Sequence, residues 1–345
     1  MIVNKFLGVR RILKFTGFHI VWLILWSTAA VALHEYSNLR WLNIPWLPLS
    51  VMGTAVAFYV GFKNNSAYDR MWEARKIWGA IVNSSRAWGS GVKAFINNTH
   101  ASDKVDGAAL KEIHRRLIYR HIAWLYSLRL QLLEVVQWEH ANQSGTIGHL
   151  AERYRKYSGL GTIKQDVRQE DLRVFLNDME YEKLICFKNM ATQLIDGQAQ
   201  DLSEIHVKGL LDNFRHVELQ QILYHFYEHQ GKCERIKKFP LPRQYANMSF
   251  VFIWIFIFLL PFGMATEFSK LGNHGNWLAV PGTVLIGWIY VVMELIGDYS
   301  ENPFQGMAYD IPMLSLCRTI EIDLREMLGE TELPDPITSS KGVLM

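Results

Sequence analysis

The chain has 345 residues, a formal net charge of +3 and 20% charged residues. A net charge this close to zero argues against nucleic-acid binding, which is typically accompanied by a strong basic excess. The mean hydropathy of +0.02 would suit a large soluble protein, so the distribution of charge along the chain has to decide the protein class.

Four long segments of the chain contain no Asp, Glu, Lys or Arg. Each segment holds at least 20 residues, and a helix needs about 20 mostly apolar residues to cross the hydrocarbon core of a membrane. One such segment would also fit a buried helix of a soluble core, but four together favour an integral membrane protein. The segments lie between Lys14 and Glu35, Arg40 and Lys63, Arg243 and Glu267, and Lys270 and Glu294.

Basic residues determine the predicted orientation. They cluster before the first segment, after the second and before the third, and cytoplasmic loops of membrane proteins carry an excess of Lys and Arg. We therefore expect a multi-pass protein of the inner (plasma) membrane with both termini in the cytoplasm. Cys186, Cys233 and Cys317 would then face a reducing compartment, where structural disulfides are not expected.

The region between the second and third segments is predicted to be helical. It contains no proline from Leu49 to Phe239, and apolar residues recur at helical spacing from Ile113 to Leu132. Turn-rich stretches at Asn97–Gly107, His140–Gly148 and 158–162 are predicted as loops. Beyond them the same spacing predicts one further helix, which carries Leu202, Ile205, Leu211, Phe214 and Ile222.

The predicted fold is all-α, with four transmembrane helices per subunit and a helical cytoplasmic domain. After the fourth segment we expect an amphipathic helix that ends at Gly329, and a loosely ordered tail from Glu330. The predicted divisions are residues 1–62 with transmembrane helices 1 and 2, 63–244 as the cytoplasmic domain, 245–297 with transmembrane helices 3 and 4, and 298–345 as the cytoplasmic C-terminal segment.

Sequence signatures of catalysis and metal binding are scarce. The chain has no GxSxG, P-loop, HExxH or CxxC motif, so we predict no enzymatic activity and no cofactor. His225, His229 and Cys233 have the spacing of one helix face. Three successive turns of a straight helix do not converge on one ion, and Gly231 is expected to end the helix, so we predict no metal site here.

An acidic stripe follows the fourth segment, at Glu294, Asp298 and Glu301. These carboxylates would either attract cations or pair with the basic residues that flank the second and third segments. Both interpretations fit the sequence.

The second segment carries a distinctive stripe. Thr54, Phe58 and Phe62 recur every four residues and therefore share one face of a helix. Directly after Phe62 the sequence becomes hydrophilic without a helix breaker, as KNNSAYDR. Such a helix would line a narrow dry neck that opens into a wet vestibule, although aromatic stripes at this spacing also occur in ordinary packing. Four helices are too few to enclose an aqueous path, so a pore would lie between subunits on a symmetry axis.

Three long motifs resemble the bacterial bestrophins. They are GFKNNSAYDRMWEARKIWG at Gly61–Gly79, GKCERIKKFPLPRQYA at Gly231–Ala246, and the stretch from Glu301 to Gly329 with its Asn-Pro-Phe core. Their order and spacing, with the four segments around them, cover most of the chain.

This resemblance implies a homopentameric ion channel in contact with membrane lipid. It places the transmembrane neck at Thr54, Phe58 and Phe62 and a cytoplasmic aperture at Leu202 and Ile205. Animal bestrophins follow Asn-Pro-Phe with an acidic run that helps to bind calcium, whereas here five uncharged residues precede Asp310. Because calcium takes six to eight oxygen ligands, calcium gating is not expected.

The predicted function is therefore an ion channel for inorganic ions, with anions such as chloride favoured because the edges of phenylalanine rings carry positive partial charge. A cation-selective channel is the first alternative, given the acidic stripe. A secondary transporter is a second alternative, for which only Pro261 and Pro281 suggest broken helices. A scaffold with a merely packed aromatic stripe is a third.

Overall fold

The computed structural model describes residues 1–6, 8–37, 42–99, 101, 104–163, 165–272 and 275–345. Trp41 in the second predicted segment, Asn273 and His274 in the fourth, and His100, Ser102 and Asp103 in a predicted loop lie outside them. Within the described residues the fold is all-α, as predicted, and the β-structure there is limited to isolated bridges. The α-helices are α1 Val9–Tyr36, α2 Trp46–Phe95, α3 Gly107–Leu133, α4 Thr146–Ser158, α5 Asp178–Leu184, α6 Met190–Val207, α7 Asn213–Lys238, α8 Arg243–Phe268, α9 Gly275–Ser300 and α10 Met313–Met327.

The chain forms two compact units. The span unit comprises Asn4–Arg70 and Pro240–Glu301, and the bundle unit comprises Met1–Val3, Met71–Phe239 and Asn302–Met345. The sequence-based divisions at 62/63 and 244/245 fall a few residues away from these limits. Lys63 and Arg243, which the sequence assigns to the cytoplasmic domain, belong to the span unit, where they pair with Glu294 and Glu301.

Three stretches of the described chain contain a helix that is long and apolar enough to cross a membrane. They are Arg10–Tyr36, the stretch Asn213–Leu271 that contains α8, and Gly275–Ser300. Helix α2 is not among them, because Gly53, Thr54 and Gly61 dilute the apolar character of its first half. The first, third and fourth predicted spans therefore have a matching helix. The second predicted span, on α2, stays a prediction.

Close helix packing in the span unit depends on small residues. A Cβ atom at Gly53 of α2 would lie 2.9 Å from the ring of Phe256 on α8, and one at Gly287 of α9 would lie 2.9 Å from Leu23 on α1. Pro261 and Pro281 both lie inside uninterrupted helices, α8 and α9. The hint of broken helices, on which the transporter alternative rested, thus has no counterpart in these two helices.

The bundle unit has a core of aromatic and aliphatic side chains. Trp78, Trp88, Trp124 and Phe226 are completely buried and come from α2, α3 and α7. Burying several side chains of this size from distant parts of the chain stabilises the bundle, since each contributes about 1.5–3 kcal/mol of transfer free energy. The predicted helix around Ile113–Leu132 is confirmed as α3.

The single helix predicted through Leu202 and Ile222 is wrong, because two helices occupy this region. Helix α6 ends at Val207, and Gly209 adopts a left-handed backbone with φ of +70°. Helix α7 begins after Asp212, whose carboxylate accepts hydrogen bonds from the backbone N–H groups of Phe214 and Arg215. A left-handed glycine and an N-cap three residues later therefore interrupt an apolar period that looks continuous in the sequence.

The C-terminal residues are packed, contrary to the expected loose tail. Val343 and Met345 are buried, and Ser315 of α10 donates a backbone hydrogen bond of 2.8 Å to the carbonyl of Met345. An isolated bridge also pairs Val343 with Ile2. The sequence did not indicate these contacts because the partners are far apart in the chain. Helix α10 itself is followed by Gly329 with φ of +82°, as predicted.

Candidate functional site

The aromatic stripe of α2 is exposed on the surface of the subunit. Phe58 is 69% exposed and Phe62 is 55% exposed, and Thr54 is exposed one turn before them. The two phenylalanine rings lie 4.9 Å apart between centroids at an interplanar angle of 84°. In this edge-to-face pair one ring edge is used internally, while most of both rings remains available to whatever borders the helix.

The hydroxyl group of Thr54 is turned back onto its own helix. Its Oγ1 atom donates a hydrogen bond of 3.0 Å to the carbonyl of Ser50. Because its hydrogen is used there, Thr54 offers less polarity to its surroundings than its residue type suggests.

Beyond Phe62 the exposed face of α2 becomes polar without a break in the helix. Asn65 and Asp69 are exposed there, and the Asn65 amide lies 3.5 Å from a carboxylate oxygen of Asp69. The predicted change from an apolar to a polar face on one continuous helix is confirmed for the residues up to Arg70.

The rear face of α2, defined by Val56, Val60, Lys63 and Ala67, is buried within the span unit. Lys63 is only 1% exposed, and its ammonium group is ion-paired with Glu294 of α9 and lies 3.8 Å from Asp298. Ser249 of α8 donates a hydrogen bond of 2.8 Å to the other oxygen of Glu294. Three helices therefore meet at one buried carboxylate.

The last member of the acidic stripe is paired as well. Glu301 accepts hydrogen bonds of 2.8 Å from the backbone N–H of Leu241 and 3.0 Å from the guanidinium of Arg243. Of the two sequence interpretations, pairing with the basic flanks of the second and third segments is thus confirmed for Glu294 and Glu301. Their charge is largely compensated within the subunit.

The two residues predicted to form a cytoplasmic aperture are buried inside the bundle unit. Leu202 and Ile205 are 0% and 1% exposed and belong to the hydrophobic core of the bundle unit. A side chain that its own subunit covers completely cannot border a passage between subunits in this conformation. The large apolar side chains that α6 and the start of α7 do expose are Val207, Phe214 and Val217, at 81%, 89% and 68%.

The histidine and cysteine residues of α7 are not arranged around an ion. The helix continues through Gly231 to Lys238, so the expected helix end at this glycine is wrong. His229 contacts the hydroxyl of Ser84 at 3.3 Å, and Cys233 is completely buried. Among the described residues, no group of three or more His, Cys, Asp or Glu side chains is placed to hold a metal ion.

The Asn-Pro-Phe segment is held by a buried polar cluster in the bundle unit. Asn302 accepts a hydrogen bond of 3.1 Å from the backbone N–H of Phe304 and donates to the carboxylate of Glu139. Lys237 of α7 is ion-paired with the same carboxylate. Two of the motifs that carry the bestrophin resemblance therefore meet at Glu139, whose role the sequence did not suggest because it lies outside every recognised motif.

The turn after Asn-Pro-Phe is closed by Asp310 in the bundle unit. One carboxylate oxygen of Asp310 accepts a hydrogen bond of 3.0 Å from the backbone N–H of Met307. Complete burial raises the pKa of this carboxyl group to about 7, against the opposing effect of the backbone hydrogen bonds. Asp310 therefore shapes the turn and can change its charge near neutral pH.

Comparison with known proteins places this chain in a family. Residues 9–326 match the profile of the family described as Bacterial/Fungal Bestrophin protein. A voltage-dependent anion channel-forming protein of Escherichia coli K12 is 26% identical over 293 residues, covering 84% of this chain and 79% of that protein. One from Ralstonia nicotianae is 24% identical over 318 residues, covering 92% and 89% of the two chains.

The structural comparison gives the same result for the fold. The crystal structure of a bacterial bestrophin homologue from Klebsiella pneumoniae superimposes with a TM-score of 0.73, covering 91% of this chain and 99% of that one at 20% identity. Because the family profile spans nearly the whole chain, from the first transmembrane helix to α10, this protein is a member of the bestrophin family of bacteria and fungi.

Proposed function

We propose that this bestrophin is an anion channel of the inner membrane, built as a homopentamer with the aromatic stripe of α2 around the central axis. The relatives from Escherichia coli and Ralstonia nicotianae carry the name of anion channel-forming proteins. Within the chain, the observation that carries the proposal is the exposure of Phe58 and Phe62 on a helix whose rear face is fully packed. As a bestrophin, the protein is a channel and not an enzyme.

An assembly is needed because one subunit has too few helices to surround water. The span unit contains α1, α8, α9 and the first half of α2, and the exposed stripe gives every copy the same surface to offer to a common axis. Symmetric arrangement of identical subunits around that axis closes a ring of phenylalanine side chains. The proposal includes a membrane crossing by α2, which brings the number of crossings to four, and a cytoplasmic position for both termini.

Conduction through such a ring requires no chemical step. An ion loses part of its hydration shell between the apolar rings, and the hydrophobic constriction sets the barrier by dewetting. The positive edges of the rings of Phe58 and Phe62 favour a dehydrated anion over a cation. The compensation of Glu294 by Lys63 and of Glu301 by Arg243 removes the main source of negative potential at the end of α9.

A second constriction is proposed at exposed residues of the bundle unit. Leu202 and Ile205 are core residues, so the aperture implied by the family resemblance is better assigned to Val207 and Phe214, which are 81% and 89% exposed on either side of the α6–α7 connection. Most of the surface of both side chains is therefore left uncovered by the subunit itself.

A cation-selective channel is the second candidate. The observation in its favour is Asp69, an exposed carboxylate on the face of α2 that continues the aromatic stripe. A ring of such carboxylates at the wide end of a neck would concentrate cations and repel anions.

The test is current through purified protein in planar bilayers under a gradient of potassium chloride. A reversal potential close to the chloride equilibrium potential supports an anion channel, and one close to the potassium potential contradicts it. Phe58→Ala and Phe62→Ala are expected to raise conductance by widening the neck. Phe250→Ala on α8 is the matched control, because Phe250 is also exposed, at 52%, but lies outside the stripe. Equal behaviour of all three variants would show that the stripe does not border the pore.

A further inference from the structure

The rear face of α2 contains one charged residue, Lys63, which follows Phe62, the last phenylalanine of the stripe, in the sequence. We infer that the ion pair between Lys63 and Glu294 is a positioning device that fixes the rotation of α2, so that Phe58 and Phe62 face the permeation path. This inference rests on the proposed function of the stripe as the neck of the channel.

The geometry follows from helix periodicity. Successive residues of an α-helix are separated by about 100° around the axis, so Lys63 points well away from its neighbour Phe62. In the structure Phe62 is 55% exposed, whereas Lys63 is 1% exposed and held by Glu294 of α9. The rotation that turns Phe62 outward is therefore the rotation that brings Lys63 to its partner.

Between Gly53 and Phe62, the polar contacts of α2 with other helices restrain its rotation less strongly. The charged hydrogen bond of 2.9 Å from Arg70 to the carbonyl of Glu301 lies further along the helix, beyond the stripe. Tyr290 of α9 donates a hydrogen bond of 2.9 Å to the carbonyl of Gly53, and Tyr59 donates one of 3.3 Å to the carbonyl of Tyr245. Both are neutral hydrogen bonds to backbone carbonyls, which are weaker than charge-assisted ones. The apolar contacts of Val56 and Val60 are non-directional, so they resist rotation less than a paired charge does.

The partner carboxylate is itself fixed from a third helix. Ser249 of α8 is completely buried and donates a hydrogen bond of 2.8 Å to Glu294. Lys63 is thus tied to α8 and α9 together. Breaking a buried ion pair from one side leaves an uncompensated charge, which a shift of the helix would relieve. A shift of α2 relative to α8 and α9 would turn the rings of the neck.

The experiment measures how accessible position 58 is to water. The background is Cys186→Ser with Phe58→Cys, because Cys186 is an exposed cysteine whereas Cys233 and Cys317 are buried. In this background, modification by a charged methanethiosulfonate reagent is followed as a change in current, and the reversal potential is recorded alongside. Lys63→Met, Glu294→Gln and the double variant are then compared.

The expected result is a change of at least about tenfold in the modification rate for Lys63→Met, corresponding to about 1.4 kcal/mol, with a shifted reversal potential. Glu294→Gln is nearly isosteric and should change the modification rate and the reversal potential in the same direction. It tests the inference if Lys63→Met does not assemble. The double variant leaves no buried unpaired charge, since Asp298, the other carboxylate near Lys63, is 35% exposed. It should therefore return to within about threefold of the background, which is the non-additivity of coupled residues. Lys232→Met, which breaks an exposed ion pair with Glu228, is the control and should change neither quantity.

Two results would overturn the inference, and they are distinguishable. If the single variants lower only the yield or the thermal midpoint and leave the modification rate and reversal potential unchanged, the pair is structural and does not position the neck. If the Phe58→Cys thiol is not modified even in the background channel, the stripe does not face water. That outcome overturns the proposed function together with this inference.

Discussion

Lys237 and Glu139 form an ion pair whose side chains are only 4% and 2% exposed, and the pair holds the Asn-Pro-Phe segment through Asn302. Lys237 also lies 3.4 Å from the carbonyl of Phe304. A carboxylate from the loop after α3, an ammonium group from α7 and the turn before α10 therefore share one buried polar cluster. The cluster joins three segments that are distant in the sequence.

Lys237→Met should strongly destabilise the protein. The substitution leaves the Glu139 carboxylate buried without its cation, and removing one partner of a buried ion pair typically costs about 3–5 kcal/mol. Thermal unfolding of the purified protein in detergent measures the effect. The double variant Lys237→Met with Glu139→Gln should recover much of the loss.

The neighbouring Lys238→Met is the control for this prediction. Lys238 is 60% exposed and lies 3.5 Å from Glu234 one turn before it, and such exposed pairs contribute about 0.3–0.5 kcal/mol. A loss for Lys238→Met as large as that for Lys237→Met would contradict the importance of burial in this cluster.

Phe58→Leu and Phe58→Ala should separate the two proposed actions of the neck. Leucine keeps an apolar constriction but lacks the positive ring edge, so Phe58→Leu should reduce the preference for anions with a smaller change in conductance. Phe58→Ala should change both, because it also widens the path next to Phe62. Permeability ratios from reversal potentials, together with single-channel currents, check this. Retention of full anion preference by Phe58→Leu would contradict a role of the ring edge.

Leu202→Ala should lower stability, whereas Phe214→Ala should change the current. Leu202 is completely buried, and replacing a buried leucine by alanine costs about 2–5 kcal/mol. Phe214 is 89% exposed, so its loss should change stability by no more than about 0.5 kcal/mol. Currents should change only for Phe214→Ala if it borders the second constriction. A stable Leu202→Ala protein with altered permeation would restore the aperture to the residue predicted from the sequence.

Gly297→Ala should disturb permeation more than Gly287→Ala. Both glycines belong to α9, but an added Cβ at Gly297 would clash with the side-chain oxygen of Asn64 on α2, whereas at Gly287 it would meet Leu23 of α1 at 2.9 Å. Only the first substitution meets a side chain of the helix that carries the stripe. Conductance and thermal midpoint are measured for both variants. An equal effect on conductance would show that α2 does not transmit the displacement.

Stability should depend on pH through Asp310. The pKa of this carboxyl is raised to about 7 from 3.8 by burial, with the nearby Met1 ammonium and backbone N–H groups opposing the shift. Between these pH values the folded chain binds more protons at this site than the unfolded chain, so this group favours folding less as pH rises from about 4 to 7. The stability of Asp310→Asn should lack this pH dependence. It should exceed that of the wild type by the largest margin near pH 8. Thermal midpoints between pH 5 and 8 measure it.

The control for the pH prediction is Asp178→Asn. The side chain of Asp178 is 86% exposed, so its replacement should leave the pH profile of the wild type unchanged. A profile for Asp310→Asn that is parallel to the wild type would show that burial of Asp310 does not control its proton.

The sequence predicts much of the stripe and little of its surroundings. Spacing alone places Thr54, Phe58 and Phe62 on one helix face, and the structure exposes all three. The family resemblance implied an aperture at Leu202 and Ile205, but both lie in the core of the bundle unit. An apolar residue on a helix faces either a pore or a core, and only the packing distinguishes these outcomes. The break between α6 and α7 was missed since the apolar period continues across Gly209 and Asp212.

The sequence by itself determined the class of this protein, because charge-free segments, proline spacing and helical periodicity depend only on nearby residues and on the thickness of a membrane. Only the tertiary structure decided which carboxylate meets Lys63, since its partner Glu294 is 231 positions away in the chain. It likewise decided which apolar residues are covered. Burial and ion pairing depend on the distances between segments that are remote in sequence, and local patterns do not contain those distances.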